Sequence, residues 1–440
     1  MPTLKLSVME STLTQPKSRE LEVSAMAENL IGSEILKIAG EVNEKIRKGE
    51  KVYNFTVGDF NPEIFPLPNE LKAEIVAAYN NNQSNYPPAD GVLTLRQSVA
   101  KYLSATIGLD YNPQSEILIA GGSRPIIYAA YRAILNPGEY VIYPVPSWNN
   151  NHYVHLTGAK AIEVAATPEN NFMPTAADIK PHIGKATLIA LCSPQNPTGT
   201  VFTKEGLTDI CNLVLEENKR RGEKQKPVYV LYDQVYWQLT FGDTKHYNPV
   251  TLCPEMRDYT IFVDGISKAF AATGVRVGWA MGHKKIIDKM KSIIGHVGAW
   301  APKAEQVAVA KYLDNTAAVN SFMAHFRQEL IERLDGFYKG FQQLKKDGFK
   351  VDAIVPKGAI YLTVQFNLTG MKTPDGKVIS KGEDVMQYIL NEASVALVPF
   401  YAFGAATDST WFRLSVGTAE TKGISDVFTR LKAALEKLKA

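Results

Sequence analysis

Residues 266–276 read Ile-Ser-Lys-Ala-Phe-Ala-Ala-Thr-Gly-Val-Arg, with Lys268 directly after Ser267 and Arg276 eight residues later. A lysine amine is a nucleophile only when it is held in place and part of its charge is suppressed. An arginine and a hydroxyl beside it suit a dianionic phosphate. A small molecule carrying both an aldehyde and a phosphate would engage Ser267, Lys268 and Arg276 together. A surface lysine and arginine near a strand end would give the same letters, so other parts of the chain must supply the rest of such a site.

The elements that must position these groups show as short apolar runs at 117–120, 141–143, 161–164, 188–191, 228–232, 261–263 and 277–281. Amphipathic stretches such as 125–135 and 205–221 lie between them. This alternation predicts an α/β fold with a mostly parallel sheet flanked by helices. Ligands of such sheets sit at the carboxyl ends of the strands, so the residues just after each run are the ones to inspect.

After 117–120 comes Gly121-Gly122-Ser123-Arg124-Pro125 and then a helical stretch, a backbone cradle for an anion at a helix N-terminus or simply a tight turn. After 141–143 comes Trp148, which could stack on a flat heteroaromatic ring or belong to the core. After 188–191, Pro194, Pro197 and Gly199 stiffen the chain around Asn196, whose amide could donate to a phenolate. After 228–231 come Asp233, an expensive charge at the end of an apolar strand unless a cation pairs with it, and Tyr236 three residues on. A protonated pyridine nitrogen would be that cation. Pyridoxal phosphate combines aldehyde, phosphate, phenolic oxygen and ring nitrogen in one molecule.

On these motifs, in this order and each at a strand end, the sequence resembles the class I/II aminotransferases, the aspartate-aminotransferase-like pyridoxal-phosphate enzymes of fold type I. The resemblance runs from about Ser24 to Ala440. It implies that Lys268 binds the cofactor aldehyde covalently and then acts as acid and base, that Asp233 pairs with the pyridine nitrogen, and that Asn196 and Tyr236 hold the ring oxygen. Trp148 would stack on the ring, while Gly122, Ser123 and Arg124 (the last two through backbone N–H), Ser267 and Arg276 would bind the phosphate. Tyr86, in Asn85-Tyr86-Pro87-Pro88, looks like the family tyrosine that reaches a partner subunit's phosphate, which implies a homodimer. Gly58 would lie by the substrate carboxylate with Trp148 and Asn196, and Arg413 would clamp that carboxylate. The implied reaction moves an amino group between an L-amino acid, aspartate first, and a 2-oxo acid such as 2-oxoglutarate.

Three departures bear on specificity. Phe400 stands where the family usually has glycine after proline. Gly295 or His296 stands where some dicarboxylate-specific relatives carry an arginine, and Trp300 replaces a usually small or polar residue. Recognition of a second carboxylate would then fall to Arg124, His296 or Lys303, and aromatic or other neutral amino acids stay open as substrates. A lyase on the same fold would use the same cofactor residues.

The expected organisation is an N-terminal extension (1–23), an N-terminal part of a small domain (24–60), a large cofactor domain (61–315) and a C-terminal small α+β domain (316–440). Helical periodicity is expected over 24–47 and, as one long linking element, over 302–345. A length of 440 residues accommodates two lobes. The 48 basic and 45 acidic residues nearly balance, which argues against a nucleic-acid partner; Lys219-Arg220-Arg221 is expected to be a solvated helix end. The three cysteines, Cys192, Cys211 and Cys253, share no metal spacing, and their odd number fits a reducing cytoplasm. No signal-peptide core or membrane span is evident. Ser98-Val99-Ala100-Lys101 lacks the companion motifs of penicillin-recognising enzymes, and His152 with His155 lacks a third metal ligand.

Overall fold

In the computed structural model, which describes residues 21–439, the seven apolar runs form one seven-stranded sheet. Its order is Ile117–Ala120, Gly278–Met281, Thr260–Gly265, Tyr229–Asp233, Ala186–Cys192, Tyr140–Val145 and Lys160–Ala165. All neighbours are parallel except Gly278–Met281, which runs antiparallel to both of its own. Ile117–Ala120, Thr260–Gly265 and Gly278–Met281 are buried at every position. Helices cover both faces, so the side chains on both sides of these strands are mostly apolar, with Thr260 and Asp264 as the buried polar exceptions. The helix Ser123–Ile134 shows the matching helical period, burying Ile126, Ile127, Ala130, Tyr131 and Ile134. Each large apolar side chain so buried stabilises the fold by about 1.5–3 kcal/mol.

A second, antiparallel sheet orders Val398–Pro399, Trp411–Ser415, Tyr361–Phe366 and Val351–Ala353. The N-terminal segment joins this C-terminal part of the chain: Tyr53–Asn54 pairs in parallel with Val395–Ala396. From there residues 55–60 run across the end of the large sheet, and this crossing delivers Gly58 and Asp59 to the site.

Two helices expected to be continuous are broken. The 24–47 stretch divides into Ala25–Glu28, which buries no side chain, and Glu34–Arg47, which buries Ile35, Ile38 and Val42. The 302–345 stretch divides at Asn315 into Lys303–Asp314 and Thr316–Lys346, and the Asn315 side chain caps the second helix by accepting the Ala318 N–H. The apolar period continues through this break because each helix buries its own stripe. Arg221 corrects the expectation of a solvated basic run. It is buried, pairs with Glu217 at 2.7 Å, and donates to the carbonyls of Ile183, Ala186 and Lys226. It thus closes the C-terminus of the helix Lys204–Arg221 onto the start of the strand Ala186–Cys192. Residues 1–20 of the expected N-terminal extension lie outside the described residues. Among the described residues no helix is long and apolar enough to cross a membrane, and no group of three potential metal ligands occurs.

Candidate active site

A cavity of about 600 Å³ opens at the carboxyl ends of Tyr140–Val145, Ala186–Cys192 and Tyr229–Asp233. The N-terminus of Ser123–Ile134 forms one wall, and residues 56–59, Tyr361 and Arg413 form the opposite one. Eleven of the residues singled out in the sequence line it: Gly58, Ser123, Arg124, Trp148, Asn196, Asp233, Tyr236, Ser267, Lys268, Arg276 and Arg413.

Lys268 sits in the short helix Ile266–Ala269 that follows the strand Thr260–Gly265. Its Nζ donates to the Gly58 carbonyl at 2.6 Å. Burial pushes the amine down to about 8, and the Asp59 carboxylate opposes this while Arg413, Arg124 and Arg276 assist it. A larger share of this amine is therefore neutral and nucleophilic near neutral pH than of a solvated lysine. Asp59 is held in turn by the Thr273 hydroxyl at 2.7 Å.

Asp233 closes the strand Tyr229–Asp233, and burial pushes its carboxyl up to about 6. The Val235 N–H, donated at 3.1 Å, and the Lys268 amine offset only part of that. A buried carboxyl so poorly compensated is a binding group for a cation. Behind it Asp264 accepts the Trp237 indole N–H at 2.9 Å, and burial pushes its carboxyl up to about 8.

At the anion end, Arg276 donates to the carbonyls of Thr273 and Gly121 at 2.7 and 2.8 Å. Gly122, at φ +92°, is the residue just ahead of the helix, and a side chain there would occupy the place of the Arg276 guanidinium. Gly122 is thus set behind Arg276, with Ser123, Arg124 and Ser267 on the cavity side. The Arg124 guanidinium lies 5.4 Å above the Trp148 ring.

Arg413 is 1% exposed, on the strand Trp411–Ser415 between two other strands. It is sandwiched between the rings of Tyr361 at 4.7 Å and Phe403 at 4.9 Å. Nη1 donates to Asn196 Oδ1 at 3.0 Å and Nη2 to the Thr56 carbonyl at 2.6 Å, while the buried Nε has no partner among the described residues. An orphaned buried N–H costs about 1–3 kcal/mol, and Arg413 is among the residues that line the cavity. Because Asn196 accepts through its oxygen, its amide N–H2 stays available to donate.

Tyr86 lies outside this cavity; it is 82% exposed and packs edge-on to Trp300 at 5.4 Å. Phe400, His296 and Trp300 are not among the lining residues either. Phe400 is buried against Phe172 and Phe403, and Lys303 donates to Asn85. Sequence reasoning passed over Tyr361 and Phe403, which hold Arg413. Their one signal was an aromatic in each of the two apolar segments flanking Trp411–Ser415, and such residues are usually core.

Bound pyridoxal phosphate would find here an amine of lowered basicity, an uncompensated carboxyl for its ring nitrogen, and a helix start with Arg276 for its phosphate. The fold and this donor set define a pyridoxal-phosphate enzyme of the aspartate aminotransferase fold. Residues 50–425 match the family model "Aminotransferase class I and II". The chain is 32% identical, over 88% of its length and 92% of the relative's, to a protein of Rhizobium leguminosarum bv. phaseoli named as a probable aspartate/prephenate aminotransferase. It superposes on the crystal structure of an aspartate aminotransferase from Rhizobium meliloti with a TM-score of 0.86 at 26% identity, covering 96% of this chain and all of that one. An aromatic aminotransferase from Pyrococcus horikoshii OT3 gives 0.78 at 26% identity, covering 90% and 98%. The chain belongs to the class I and II aminotransferases, and it is a pyridoxal-phosphate-dependent transferase.

Proposed function

We propose that the enzyme transfers the amino group of an aspartate-like L-amino acid to a 2-oxo acid such as 2-oxoglutarate, as a cytoplasmic homodimer in which Tyr86 serves the partner's site. The Arg413 guanidinium, on the wall of the cavity that also holds Lys268, carries this reading, since it fits the α-carboxylate that every amino acid presents. Bound pyridoxal phosphate supplies an electron sink for the pair left at the substrate α-carbon. Asp233 keeps the ring nitrogen protonated, and Asn196 and Tyr236 hold the ring oxygen. Ser123 and Arg124, through their backbone N–H groups, hold the phosphate with Ser267 and Arg276, and Trp148 covers the ring. Lys268 Nζ takes up the proton that leaves the α-carbon. The names of the relatives support aspartate, and so does Arg124, which unlike His296 and Lys303 lines the cavity. We place the lobe boundaries at 60/61 and 315/316, the second at the Asn315 cap, with 1–23 as an extension.

Arg413→Ala is expected to lower kcat/KM by at least about 30-fold for every amino acid, because it removes one member of a buried charge pair worth about 2 kcal/mol or more. An unchanged value would take Arg413 out of the site. Arg124→Gln is expected to raise KM for aspartate about 10-fold or more, as loss of one charge-assisted contact should, and to leave neutral amino acids nearly unaffected. The second reading, aromatic or other neutral substrates, draws on Ile35, Leu36, Ile127 and Trp148 in the lining and on the Pyrococcus likeness. A panel of amino acids mixed with 2-oxoglutarate, with both products followed, decides between the two. Ammonia or pyruvate released without consumption of 2-oxoglutarate would instead identify a lyase.

A further inference from the structure

The wall that carries Arg413 also carries a second buried phenol. Tyr361 opens the strand Tyr361–Phe366, is 1% exposed, and its hydroxyl lies 2.7 Å from the Tyr236 hydroxyl. The two rings meet edge to face at 5.6 Å. Tyr361 cannot drift, because its strand is fastened to the turn that presents Asn196: Gly358 N–H donates to the Gly199 carbonyl at 3.0 Å and the Thr363 hydroxyl to the Thr198 carbonyl at 2.8 Å. Gly58 leaves room for the phenol, since a Cβ there would stand 2.8 Å from the Tyr361 oxygen.

We propose that Tyr361 is a positioning residue that donates its hydroxyl proton to Tyr236 and so directs the Tyr236 proton into the cavity, toward the cofactor's ring oxygen. The proposal rests on the placement of Tyr236 and Arg413 given under the proposed function. Two hydroxyls that share one hydrogen bond contain one donor and one acceptor, and the better acid donates. Burial pushes both phenols up, Tyr236 further than Tyr361, and the Arg413 guanidinium, which favours the ionised form of both, lies 4.7 Å over the Tyr361 ring, so Tyr361 is that acid. The oxygen of Tyr236 therefore accepts, and its proton is left for another partner. Donation along a chain strengthens each link. Lys268, Asp59 and Cys192 are the other titratable groups that bear on the pair.

The test is a pH titration of the visible absorbance of the purified holoenzyme in wild type, Tyr361→Phe, Tyr236→Phe and the double variant. Phenylalanine fills the same ring space, so binding of the chromophore itself reports that each protein has folded. The midpoint is expected to rise by about half a unit to one unit in Tyr361→Phe, the size of one net hydrogen bond. It should rise at least as far in Tyr236→Phe and no further in the double variant. Affinity for a simple carboxylate, read by its own spectral change, should alter less than two-fold in Tyr361→Phe. A wild-type midpoint in Tyr361→Phe beside a raised one in Tyr236→Phe overturns the proposal and leaves the placement of Tyr236 standing. Fully additive shifts also overturn it, because Tyr361 would then act by a separate route. No shift in Tyr236→Phe removes both the proposal and the placement beneath it.

Discussion

Lys268→Ala is expected to lower transamination by at least about 10⁴-fold, the upper end of what a positioned acid–base group contributes. Borohydride, which fixes pyridoxal phosphate covalently to the wild type, should leave the variant unlabelled. The reasons are geometric and electrostatic together. The amine hangs from the Gly58 carbonyl in the cavity, burial brings it down to about 8, and Asp59 prevents a larger fall. Alanine keeps the cavity and removes both the nucleophile and the base. Cofactor should still bind through Asp233 and the Arg276 end, so the variant can be yellow and inactive. Labelling of Lys268→Ala by borohydride would falsify the assignment of this lysine.

Asp233→Asn is expected to lower kcat by about 10²–10³-fold. An ion pair near 4 Å at an effective dielectric of about 20 contributes about 4 kcal/mol before desolvation, and asparagine retains only the hydrogen bond. The same substitution should raise the stability of the apoenzyme. Burial raises the Asp233 carboxyl in the fold to about 6 against the ordinary aspartate value of 3.8, so ionising it there opposes folding. For a raised carboxyl the penalty is absent below the unfolded value, grows between about pH 4 and 6, and is complete above 6. Two units correspond to about 3 kcal/mol as an order of magnitude. Chemical denaturation of the cofactor-free protein at pH 7.5 should therefore find Asp233→Asn more stable than wild type, with the gap closing below pH 4. A variant that is less stable at pH 7.5 would mean that Asp233 already has its partner within the protein.

Much of the site was legible because parallel strands buried on both faces are short apolar runs, and whatever polar residue follows such a run stands at the ligand-binding edge. Asp233, Asn196, Trp148 and Lys268 are all of this kind, and all line the cavity. Arg221 misled for the converse reason: its partners Ile183 and Ala186 come from a loop and strand more than thirty residues away, and periodicity does not register such contacts. The split at Asn315 was hidden because one apolar stripe continues through two helices that pack on different neighbours.

The sequence by itself determined the sheet, the cofactor and the order of the groups that hold it, because each depends on residues local to one strand and its following turn. Only the tertiary structure decided how the carboxylate clamp is built. Arg413 meets Asn196 across 217 residues and Tyr236 meets Tyr361 across 125. Which buried donor is satisfied and which is left open, as at Arg413 Nε, follows from packing between two sheets. No stretch of sequence contains both halves of that contact.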